Sequence, residues 1–425
     1  MTNTSLWTFC FGRSNIINIV EYLKWRELIY ATTDPEILNV LQNEKVTFYL
    51  GADPTGDSLH IGHLFPYLTA KRLEAAGHKA ILLIGGATGL IGDPRGTSER
   101  QLLSLEKSLS NAAAITKQVR GLFNCEMVNN YDWIGKIDMI TFLRDYGKCF
   151  NVNYMLNKET VKARLESGIS YTEFSYQILQ SMDFMHLYED KNVTLQIGGQ
   201  DQWGNITAGI ELIRKHHPDA KVFGLTVPLI TNADGTKFGK SEGAPVWLDP
   251  EKTSPYEFYQ YWINVPDSDV IKRLKQFTFL TKEEIEDIEV EFKEHPETRR
   301  AQKELAKNIT ITIHGEEAYK QAVRISEALF SGDISNLSLD EIHMGFKNIK
   351  SAEFNEDVNI LDALINTGLA SSKREAREFV TSGAISVNGN KVDSLEYMVS
   401  KNNALYNEYS VIKRGKKKYS LIHHN

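Results

Sequence analysis

Two short segments, far apart in the chain, contain residues that could act on a polyphosphate. The first, Asp-Pro-Thr-Gly-Asp-Ser-Leu-His-Ile-Gly-His, ends with two histidines, His60 and His63. The second, Lys-Phe-Gly-Lys-Ser, contains two lysines, Lys237 and Lys240. Imidazole N–H groups can donate hydrogen bonds to phosphate oxygens as negative charge develops there, and ammonium groups can offset the same charge. The two segments together therefore predict a site for a triphosphate.

The first segment must be positioned by the elements on either side of it. Residues 46–50, Val-Thr-Phe-Tyr-Leu, predict a strand, and residues 51–56 supply the glycine and proline of a turn. Asp57 or Ser58 is predicted to cap a helix whose first turn holds both histidines. The N–H groups and the dipole of such a helix N-terminus favour an anion. Gly62 permits a close approach because it has no Cβ.

Simpler interpretations of both segments remain open. The first could be a capped helix with surface histidines, or the histidines could bind zinc, although no cysteines or carboxylates at the usual spacing supply further ligands. The second could be a basic loop exposed to solvent. A Walker A loop is excluded, because three residues separate Gly235 from Gly239 where that motif needs four. The glycines at Gly85 and Gly86 do not fit a dinucleotide-binding motif, so no NAD site is predicted.

Composition and charge exclude several classes of protein. The chain has 425 residues, of which 42% are hydrophobic and 24% charged, which indicates a soluble globular protein of two or three domains. No apolar run approaches the length of a membrane span, so no membrane segment is expected. Three scattered cysteines indicate reduced thiols. The net charge is −7, but residues 358–425 carry ten Lys or Arg and six Asp or Glu, a net of +4. This basic part is predicted to meet a polyanion.

Strand and helix patterns alternate after the first segment. Residues 78–86 and 193–197 predict buried strands, and residues 171–189 predict a helix. The alternation predicts an α/β fold with a doubly wound parallel sheet and a ligand at the carboxyl ends of its strands. The pattern of residues 256–329 is helical throughout. The predicted domains are an extra N-terminal segment at 1–15, a catalytic domain at 16–246, a helical domain at 247–330, a linker at 331–356 and a C-terminal domain at 357–425.

The predicted C-terminal domain has local signals for a basic helix followed by a hairpin. Ser372 and Glu375 match a capping box, Gly383 can end that helix, and Asn388-Gly389 is a strong hairpin signal. The basic residues of this helix and of the last basic stretch could form an RNA-binding face or simply a face exposed to solvent, and the helix and hairpin signals favour RNA binding. These basic residues are Lys373, Arg374, Arg377, Lys413, Arg414, Lys416, Lys417 and Lys418.

On these motifs the chain resembles the bacterial-type tyrosyl-tRNA synthetases, a family of class I aminoacyl-tRNA synthetases. The first segment resembles the HIGH signature and the second the KMSKS signature, and the resemblance extends from about Ile16 to Asn425. It implies a Rossmann-like class I catalytic domain, then an α-helical domain and a small S4-like α+β RNA-binding domain. It also implies ATP as a substrate with Mg²⁺, no tightly bound cofactor, tRNA(Tyr) and L-tyrosine as further substrates, a homodimer, and a cytoplasmic or, less expectedly, organellar location.

The resemblance implies a role for each matching residue. Residues implied to act on the reacting phosphates are Thr55, His60, His63, Lys237 and Lys240. Residues implied to bind tyrosine are Tyr49 and Asp183 at the phenol, Asp93, Tyr176 and Gln180 at the α-ammonium group, and Gln202 beside the carboxylate. Residues implied to bind ATP are Gly51, Asp53, Gly62, Arg100, Asp201 at the ribose, and Ser241. Independently of the family, Tyr176 and Gln180 are one helical turn apart and share a face.

The chain departs from the family pattern at three places, one of which, Phe238 and Gly239 in the second segment, is within the variation expected at the middle positions of that signature. The loop after Asp93 lacks a lysine that family members often carry, and Arg95 is a candidate replacement. Pro66 falls inside the predicted helix and is expected to kink it. Two rival functions are a tryptophanyl enzyme, which lacks the Tyr49 and Asp183 pair and this type of tail domain, and a non-catalytic RNA-binding protein. The retention of both histidines and both lysines favours an enzyme.

Overall fold

In the computed structural model of the protein, the described residues are 18–94, 102–123, 125–231, 238–241, 244–331, 333–415 and 418–425. By its internal contacts the chain divides into two units. The first contains residues up to 252 together with 265–313, and the second contains 253–264 together with 314–425. The predicted helical domain, 247–330, is thus shared between two units. None of the described helices combines the length and the apolar character that crossing a bilayer requires.

The described strands and helices have the following bounds. The strands are β1 Ala31–Thr32, β2 Thr47–Ala52, β3 Lys79–Ile84, β4 Glu126–Asn129, β5 Leu195–Gly199, β6 Phe223–Val227, β7 Lys240–Ser241, β8 Ala244–Pro245, β9 Ser351–Phe354, β10 Val358–Asn359, β11 Ile385–Val387, β12 Asn390–Lys391, β13 Met398–Val399, β14 Tyr409–Arg414 and β15 Lys418–His424. The α-helices are α1 Ile19–Trp25, α2 Glu36–Asn43, α3 Ile61–Ala75, α4 Thr88–Ile91, α5 Leu105–Leu122, α6 Tyr131–Ile134, α7 Met139–Thr141, α8 Val152–Leu156, α9 Glu159–Lys162, α10 Tyr171–Lys191, α11 Trp203–His216, α12 Pro255–Ile263, α13 Asp267–Phe277, α14 Lys282–Glu294, α15 Arg300–His314, α16 Glu316–Ser331, α17 Leu339–Phe346, α18 Ile360–Asn366 and α19 Lys373–Thr381.

The first unit is built around a six-stranded sheet of order β1-β6-β5-β2-β3-β4. Strands β2 to β6 run parallel, which confirms the predicted doubly wound sheet, and only the edge strand β1 is antiparallel. The apolar run of β3 is almost entirely buried, as is typical of a parallel strand covered on both faces. The strand order reverses between β5 and β2. A crevice therefore opens at the carboxyl ends of these two strands.

The second unit contains a five-stranded sheet of order β12-β11-β14-β15-β9 and a small pair, β10 with β13. The predicted helix cap, closing glycine and hairpin turn are confirmed here. The predicted capping box is incomplete, because the Glu375 carboxylate accepts from the Ser371 N–H at 2.7 Å rather than from that of Ser372. Ser372 caps α19 by accepting from the Glu375 N–H at 3.3 Å, and Gly383 follows the helix at φ +69°. Asn388 and Gly389, at φ +50° and +85°, turn β11 into β12.

The prediction of a linker at residues 331–356 is wrong. This stretch contains α17, which begins with a capping box between Ser338 and Glu341, and β9, which pairs parallel with β15. Several of its apolar side chains are buried in the core of the second unit, Ile342 and Phe346 among them. The apolar residues of this stretch follow only a weak period, so the burial pattern was not visible before the packing partners were known.

Candidate functional site

A cavity of about 430 Å³ lies in the crevice between the carboxyl ends of β2 and β5. Its walls come from the end of β2, the first turn of α3, one face of α10 and the turn that follows β5. Thirteen residues predicted from the sequence line it together: Tyr49, Gly51, Asp53, Thr55, His60, Gly62, His63, Asp93, Tyr176, Gln180, Asp183, Asp201 and Gln202. Arg95, Arg100 and Lys237 lie outside the described residues, and Lys240 and Ser241 are described by their backbone alone, as strand β7.

The N-terminus of α3 is capped by His60, so the prediction that Asp57 or Ser58 caps this helix is wrong. The Nδ1 atom of His60 accepts from the Gly62 N–H at 3.0 Å, and Nδ1 of His63 accepts from the His60 N–H at 3.3 Å. Asp57 instead pairs with Lys252. Gly62 makes the cap possible, because a Cβ at this position would lie 2.8 Å from the His60 ring. The helix continues through Pro66 to Ala75.

The two caps fix the protonation of both imidazoles. Because each Nδ1 atom accepts a hydrogen bond, the proton of each neutral ring is assigned to Nε2, from which it can be donated. Burial, with a smaller contribution from His60, lowers the pKa of His63 to about 3. His63 is therefore a neutral donor at physiological pH. The ring centroids of His60 and His63 are 4.0 Å apart, so both rings face one region at the mouth of the cavity.

The described part of the second segment meets this same helix turn. Gly239 has φ +87°, and a Cβ there would lie 3.2 Å from the backbone nitrogen of Gly62. The Gly239 carbonyl accepts from the Val246 N–H at 2.9 Å, and the Val246 carbonyl accepts from the Ile61 N–H at 3.0 Å. Phe238 lines the cavity as well. The backbone thus brings the two predicted motifs side by side, although 174 positions separate Lys237 from His63 in the sequence.

The closed end of the cavity holds two polar groups on facing elements. Tyr49 is buried on β2, and among the described residues its Oη has no hydrogen-bond partner. Asp183 is buried on α10, where it accepts from Asn130 Nδ2 at 2.9 Å and from Trp133 Nε1 at 2.8 Å. Burial raises the pKa of Asp183 to about 8 in spite of these two bonds. Burial, together with the charge of Asp183, raises the pKa of Tyr49 well above its usual value.

Asn130 and Trp133 were missed in the sequence, as was Thr88. Asn130 Nδ2 donates to Thr88 Oγ1 at 2.9 Å, and Thr88 Oγ1 donates to Asp53 Oδ1 at 2.7 Å. These residues join the carboxyl groups of Asp183 and Asp53 into one hydrogen-bond network. The available signal was the polar run Asn-Asn-Tyr-Asp-Trp, which begins with the last residue of β4, because polar residues at the carboxyl end of a parallel strand face the ligand crevice.

A third carboxylate of the cavity, Asp93, lies nearer the turn after β5. It accepts from Gln202 Nε2 at 3.0 Å and from Asn205 Nδ2 at 3.2 Å. Burial raises the pKa of Asp93 to about 6 against the effect of these bonds. Gln202 Nε2 also donates to Asp201 Oδ2 at 2.9 Å. The amide of Gln202 therefore orients two carboxylates at once.

Both carboxylate oxygens of Asp53 accept hydrogen bonds from side chains of the protein. Tyr176 Oη donates to Asp53 Oδ2 at 2.9 Å, while Thr88 occupies the other oxygen. Lys158 lies close to Asp93 and donates to the Gly204 carbonyl. Burial lowers the pKa of Lys158 to about 7, and the charge of Asp93 opposes that effect. Among the described residues, no group of three or more His, Cys, Asp or Glu side chains is arranged to hold a metal ion.

The basic residues predicted to bind RNA divide into two groups. Lys373, Arg374, Arg377 and Lys418 are exposed; the Lys373 ammonium lies 2.8 Å from Asp362 and the Arg374 guanidinium 3.7 Å from Glu378. Arg414 is mostly covered and donates to the Leu369 carbonyl, with its guanidinium 4.4 Å from the Phe379 ring centroid. Lys413 Nζ lies 5.2 Å from the Tyr419 ring centroid. Lys416 and Lys417 lie outside the described residues.

Arg414 thus contacts other residues of the second unit, while Lys373, Arg374 and Arg377 on α19 are exposed to solvent.

Comparison with known proteins covers both units. The family model for class I tRNA synthetases (W and Y) matches residues 41–331, and that for the tyrosine–tRNA ligase SYY-like C-terminal domain matches residues 341–422. A tyrosine–tRNA ligase from Staphylococcus epidermidis is 54% identical over 415 residues, 96% of this chain and 99% of the relative. One from Geobacillus stearothermophilus is 54% identical over 416 residues, with the same two coverages.

A solved structure agrees with this comparison. The C-terminally truncated mitochondrial tyrosyl-tRNA synthetase of Coccidioides posadasii matches with a TM-score of 0.64 and 32% identity. The match covers 75% of this chain and 95% of that one.

Proposed function

The chain belongs to the tyrosine–tRNA ligases, class I synthetases that activate tyrosine with ATP and charge it onto tRNA, and we propose that the cavity between β2 and β5 is its activation site. In the first step a carboxylate oxygen of tyrosine attacks the α-phosphorus of ATP. The bond from that phosphorus to the bridging oxygen breaks, and pyrophosphate leaves. In the second step a hydroxyl of the terminal adenosine of tRNA attacks the activated carbonyl, and AMP leaves.

The phenol of tyrosine is recognised at the closed end of the cavity. We place its hydroxyl between Tyr49 and Asp183, which are both buried and both polar. Asn130 and Trp133 hold the Asp183 carboxyl in a fixed orientation, so little ordering is left to be done on binding. A phenylalanine ring would leave the buried Tyr49 hydroxyl and Asp183 carboxyl without that partner, which is costly away from water.

The charged end of the amino acid is held nearer the mouth. Asp93, Tyr176 and Gln180 are proposed to hold the α-ammonium group, since all three line the cavity and one is a carboxylate. Gln202 already donates to Asp93 and is proposed to lie beside the reacting carboxylate. Asp201, next to it in the chain, is proposed to accept from the ribose hydroxyls.

The phosphates are proposed to lie at the N-terminus of α3. His60 and His63 donate from Nε2, and the helix dipole favours the charge that develops on the leaving pyrophosphate. Further groups proposed to contact ATP are Gly51, Asp53, Thr55, Gly62, Arg100, Lys237, Lys240 and Ser241. ATP is proposed to bring Mg²⁺ as its phosphate complex, in which the ion offsets part of the phosphate charge. Apart from this charge stabilisation, the protein contributes by positioning tyrosine and ATP for the reaction.

We further propose that the enzyme is a cytoplasmic homodimer that binds tRNA(Tyr) through its basic C-terminal domain. In support of a dimer, large apolar side chains are exposed close together in sequence from α7 through α8: Met139, Ile140, Leu143, Val152 and Tyr154. A cluster of exposed apolar residues is typical of a protein interface. In support of RNA binding, Arg374 is 91% exposed on α19, and an exposed guanidinium there is suited to a phosphate.

The observation that carries the proposal is the buried pair Tyr49 and Asp183 in a cavity whose mouth is formed by a histidine-capped helix. The test is pyrophosphate exchange into ATP with each of the twenty amino acids in turn. We expect exchange with tyrosine alone, and a Tyr49→Phe variant that loses selectivity against phenylalanine. A matched control is Tyr30→Phe, which removes the hydroxyl of an exposed tyrosine outside the proposed site and interface. Exchange with tryptophan, or with no amino acid, would contradict the proposal.

A further inference from the structure

A buried arginine on α13, Arg273, lies behind one wall of the cavity. Its Nη2 donates to the Thr231 carbonyl at 2.6 Å, and its guanidinium carbon lies 4.6 Å from the centroid of the Phe238 ring. Thr231 and Phe238 both line the cavity. They are the described residues on either side of positions 232–237, so one guanidinium contacts both ends of the chain segment to which Lys237 belongs.

The guanidinium is itself held in place by its own helix. Nη1 donates to Gln276 Oε1 at 2.9 Å, and Nη2 lies 3.7 Å from Asp269 Oδ2. Both partners are on α13, three and four residues away. A planar guanidinium with several directed donors is more rigid than an ammonium, so its contacts fix direction as well as distance. Arg273 can therefore define the positions of Thr231 and Phe238 relative to α13.

Aromatic contacts extend this arrangement to the first motif. The Phe238 ring centroid lies 5.5 Å from that of Phe277, and Phe277 lies 5.6 Å from Phe65 on α3. Phe65 is two residues after His63, whose ring faces the proposed phosphates. The next residue, Gly239, already abuts the Gly62 backbone. Arg273 thus lies at the far side of a packed layer that connects the two motifs.

Packing alone does not require a charge at this position. Burying a guanidinium carries a desolvation cost, and an apolar side chain of similar volume is often as stabilising in such a place. What the guanidinium adds is the directed bond to the Thr231 carbonyl together with the cation–π contact to Phe238. Both additions act on Thr231 and Phe238, the described residues that flank the lysine of the second motif in the sequence. Neither acts on the tyrosine end of the cavity.

We propose that Arg273 is a positioning residue for the activation step: it fixes Thr231 and Phe238 in the cavity wall. Through the packing of Phe238 and Gly239 toward α3, it aligns the described part of the second motif with the helix turn at which the phosphates of ATP are proposed to lie. The proposal rests on the proposed function, because it assigns Arg273 to the formation of tyrosyl-adenylate. Arg273 touches no reacting atom and acts through Thr231 and Phe238.

A buried arginine on α3, which donates to the carboxyl-terminal end of α13, offers a matched control. Arg72 on α3 is also fully buried and also donates to backbone carbonyls, those of Gln276 at 2.9 Å and Thr278 at 2.8 Å. It lies 4.8 Å from the Phe279 ring centroid, so it has a cation–π contact as well. Arg72→Met and Arg273→Met remove the same groups from neighbouring buried sites. Only the second removes the contacts to Thr231 and Phe238.

The test measures the rate of tyrosyl-adenylate formation at saturating ATP, the dissociation constant of tyrosine, and the thermal unfolding midpoint. We expect Arg273→Met to lower the rate about 10- to 100-fold, as removal of a charged hydrogen bond would, with the tyrosine dissociation constant within twofold of wild type. Arg273→Lys keeps the charge but not the planar, directed donors of the guanidinium, so its rate should lie between those of wild type and Arg273→Met. Arg72→Met should lower the unfolding midpoint and leave the rate within twofold.

Three results would overturn the inference. These are a wild-type rate in Arg273→Met, an equal loss of rate and tyrosine affinity, or an equal loss of rate in Arg72→Met. If Arg273→Met does not fold, Phe238→Leu serves in its place, because it removes the aromatic partner of Arg273. Wild-type rates of adenylate formation in both Phe238→Leu and Arg273→Lys would then overturn the inference. A wild-type enzyme that exchanges pyrophosphate with tyrosine while these variants are unaffected refutes the role of Arg273 and leaves the proposed function standing.

Discussion

Replacing His60 by asparagine separates two tasks that its imidazole could perform at the start of α3. Nδ1 caps the helix by accepting from the Gly62 N–H, while Nε2 is proposed to donate to a phosphate. Asparagine is among the best N-cap residues, but its short side chain cannot also reach the phosphates from the cap. Alanine performs neither task. The pair of variants therefore tests whether His60 is a cap alone, which is the simplest interpretation of this motif.

The expected magnitudes follow from these two contacts. Loss of an N-cap costs about 1 kcal/mol, so His60→Ala should unfold at a lower temperature, whereas His60→Asn should match the wild type. A hydrogen bond to a charged group contributes about 1.5–3 kcal/mol. If that bond is made in the transition state, both variants should form tyrosyl-adenylate roughly 10- to 150-fold more slowly, with tyrosine binding unchanged.

The assay is single-turnover adenylate formation, measured beside a thermal melt of each variant. Thr281→Ala is the control, because Thr281 caps α14 through a capping box with Glu284 and has no place in the proposed site. It should melt earlier and react at the wild-type rate. If His60→Asn reacts within twofold of wild type while His60→Ala is slow, the imidazole is a structural cap and its assignment to the phosphates is refuted.

Two further predictions concern the tyrosine and tRNA sites. Burial raises the pKa of Asp93 to about 6, so this carboxyl is charged above that pH and neutral below it. Tyrosine, measured by equilibrium dialysis, should therefore bind about tenfold more weakly at pH 5 than at pH 7. An Asp93→Asn variant with the same pH dependence of tyrosine binding would contradict the proposed role of Asp93. Arg374→Gln and Arg377→Gln should each reduce the slope of log K for tRNA against log salt by about one while leaving pyrophosphate exchange intact. Slopes equal to the wild type would show that these exposed residues do not contact phosphate.

The cavity was accessible to sequence reasoning because its polar residues lie in short local patterns. Tyr49 ends a recognisable strand, and Tyr176, Gln180 and Asp183 share one face of a helix whose period is clear. The carboxyl ends of parallel strands meet at one edge, so these patterns converge once the sheet is doubly wound. Resemblance to a family then gave each side chain a role that spacing alone leaves open.

What the sequence did not reveal depends on contacts between distant segments. Asn130 and Trp133 reach Asp183 only because β4 lies beside β3, an arrangement that no local pattern specifies. Asp57 and Ser58 have better capping propensity than histidine, yet residue 60 bridges to Trp247 in an isolated antiparallel pair, and the helix begins after that bridge. Tertiary pairing here overrides propensity.

Arg414 illustrates the same limit for charge. In the sequence it belongs to a run of basic residues, and every member of such a run is an equal candidate for RNA. In the structure its guanidinium lies against Phe379 and reaches the Leu369 carbonyl. Burial of one cation within a basic cluster depends on the fold of α18 and α19 around it, and composition carries no record of that.

The position of β15 in the second sheet has a consequence for biosynthesis. This strand pairs with β14 on one side and with β9 on the other, so β9, completed at Phe354, has no neighbour until Lys418 and the residues after it have been translated. At ribosomal speeds of roughly 5–20 residues per second, that delay is roughly 3–13 s. During this interval residues 351–354 cannot make their backbone pairing, so the sheet of the second unit can be completed only after β15 has been synthesised.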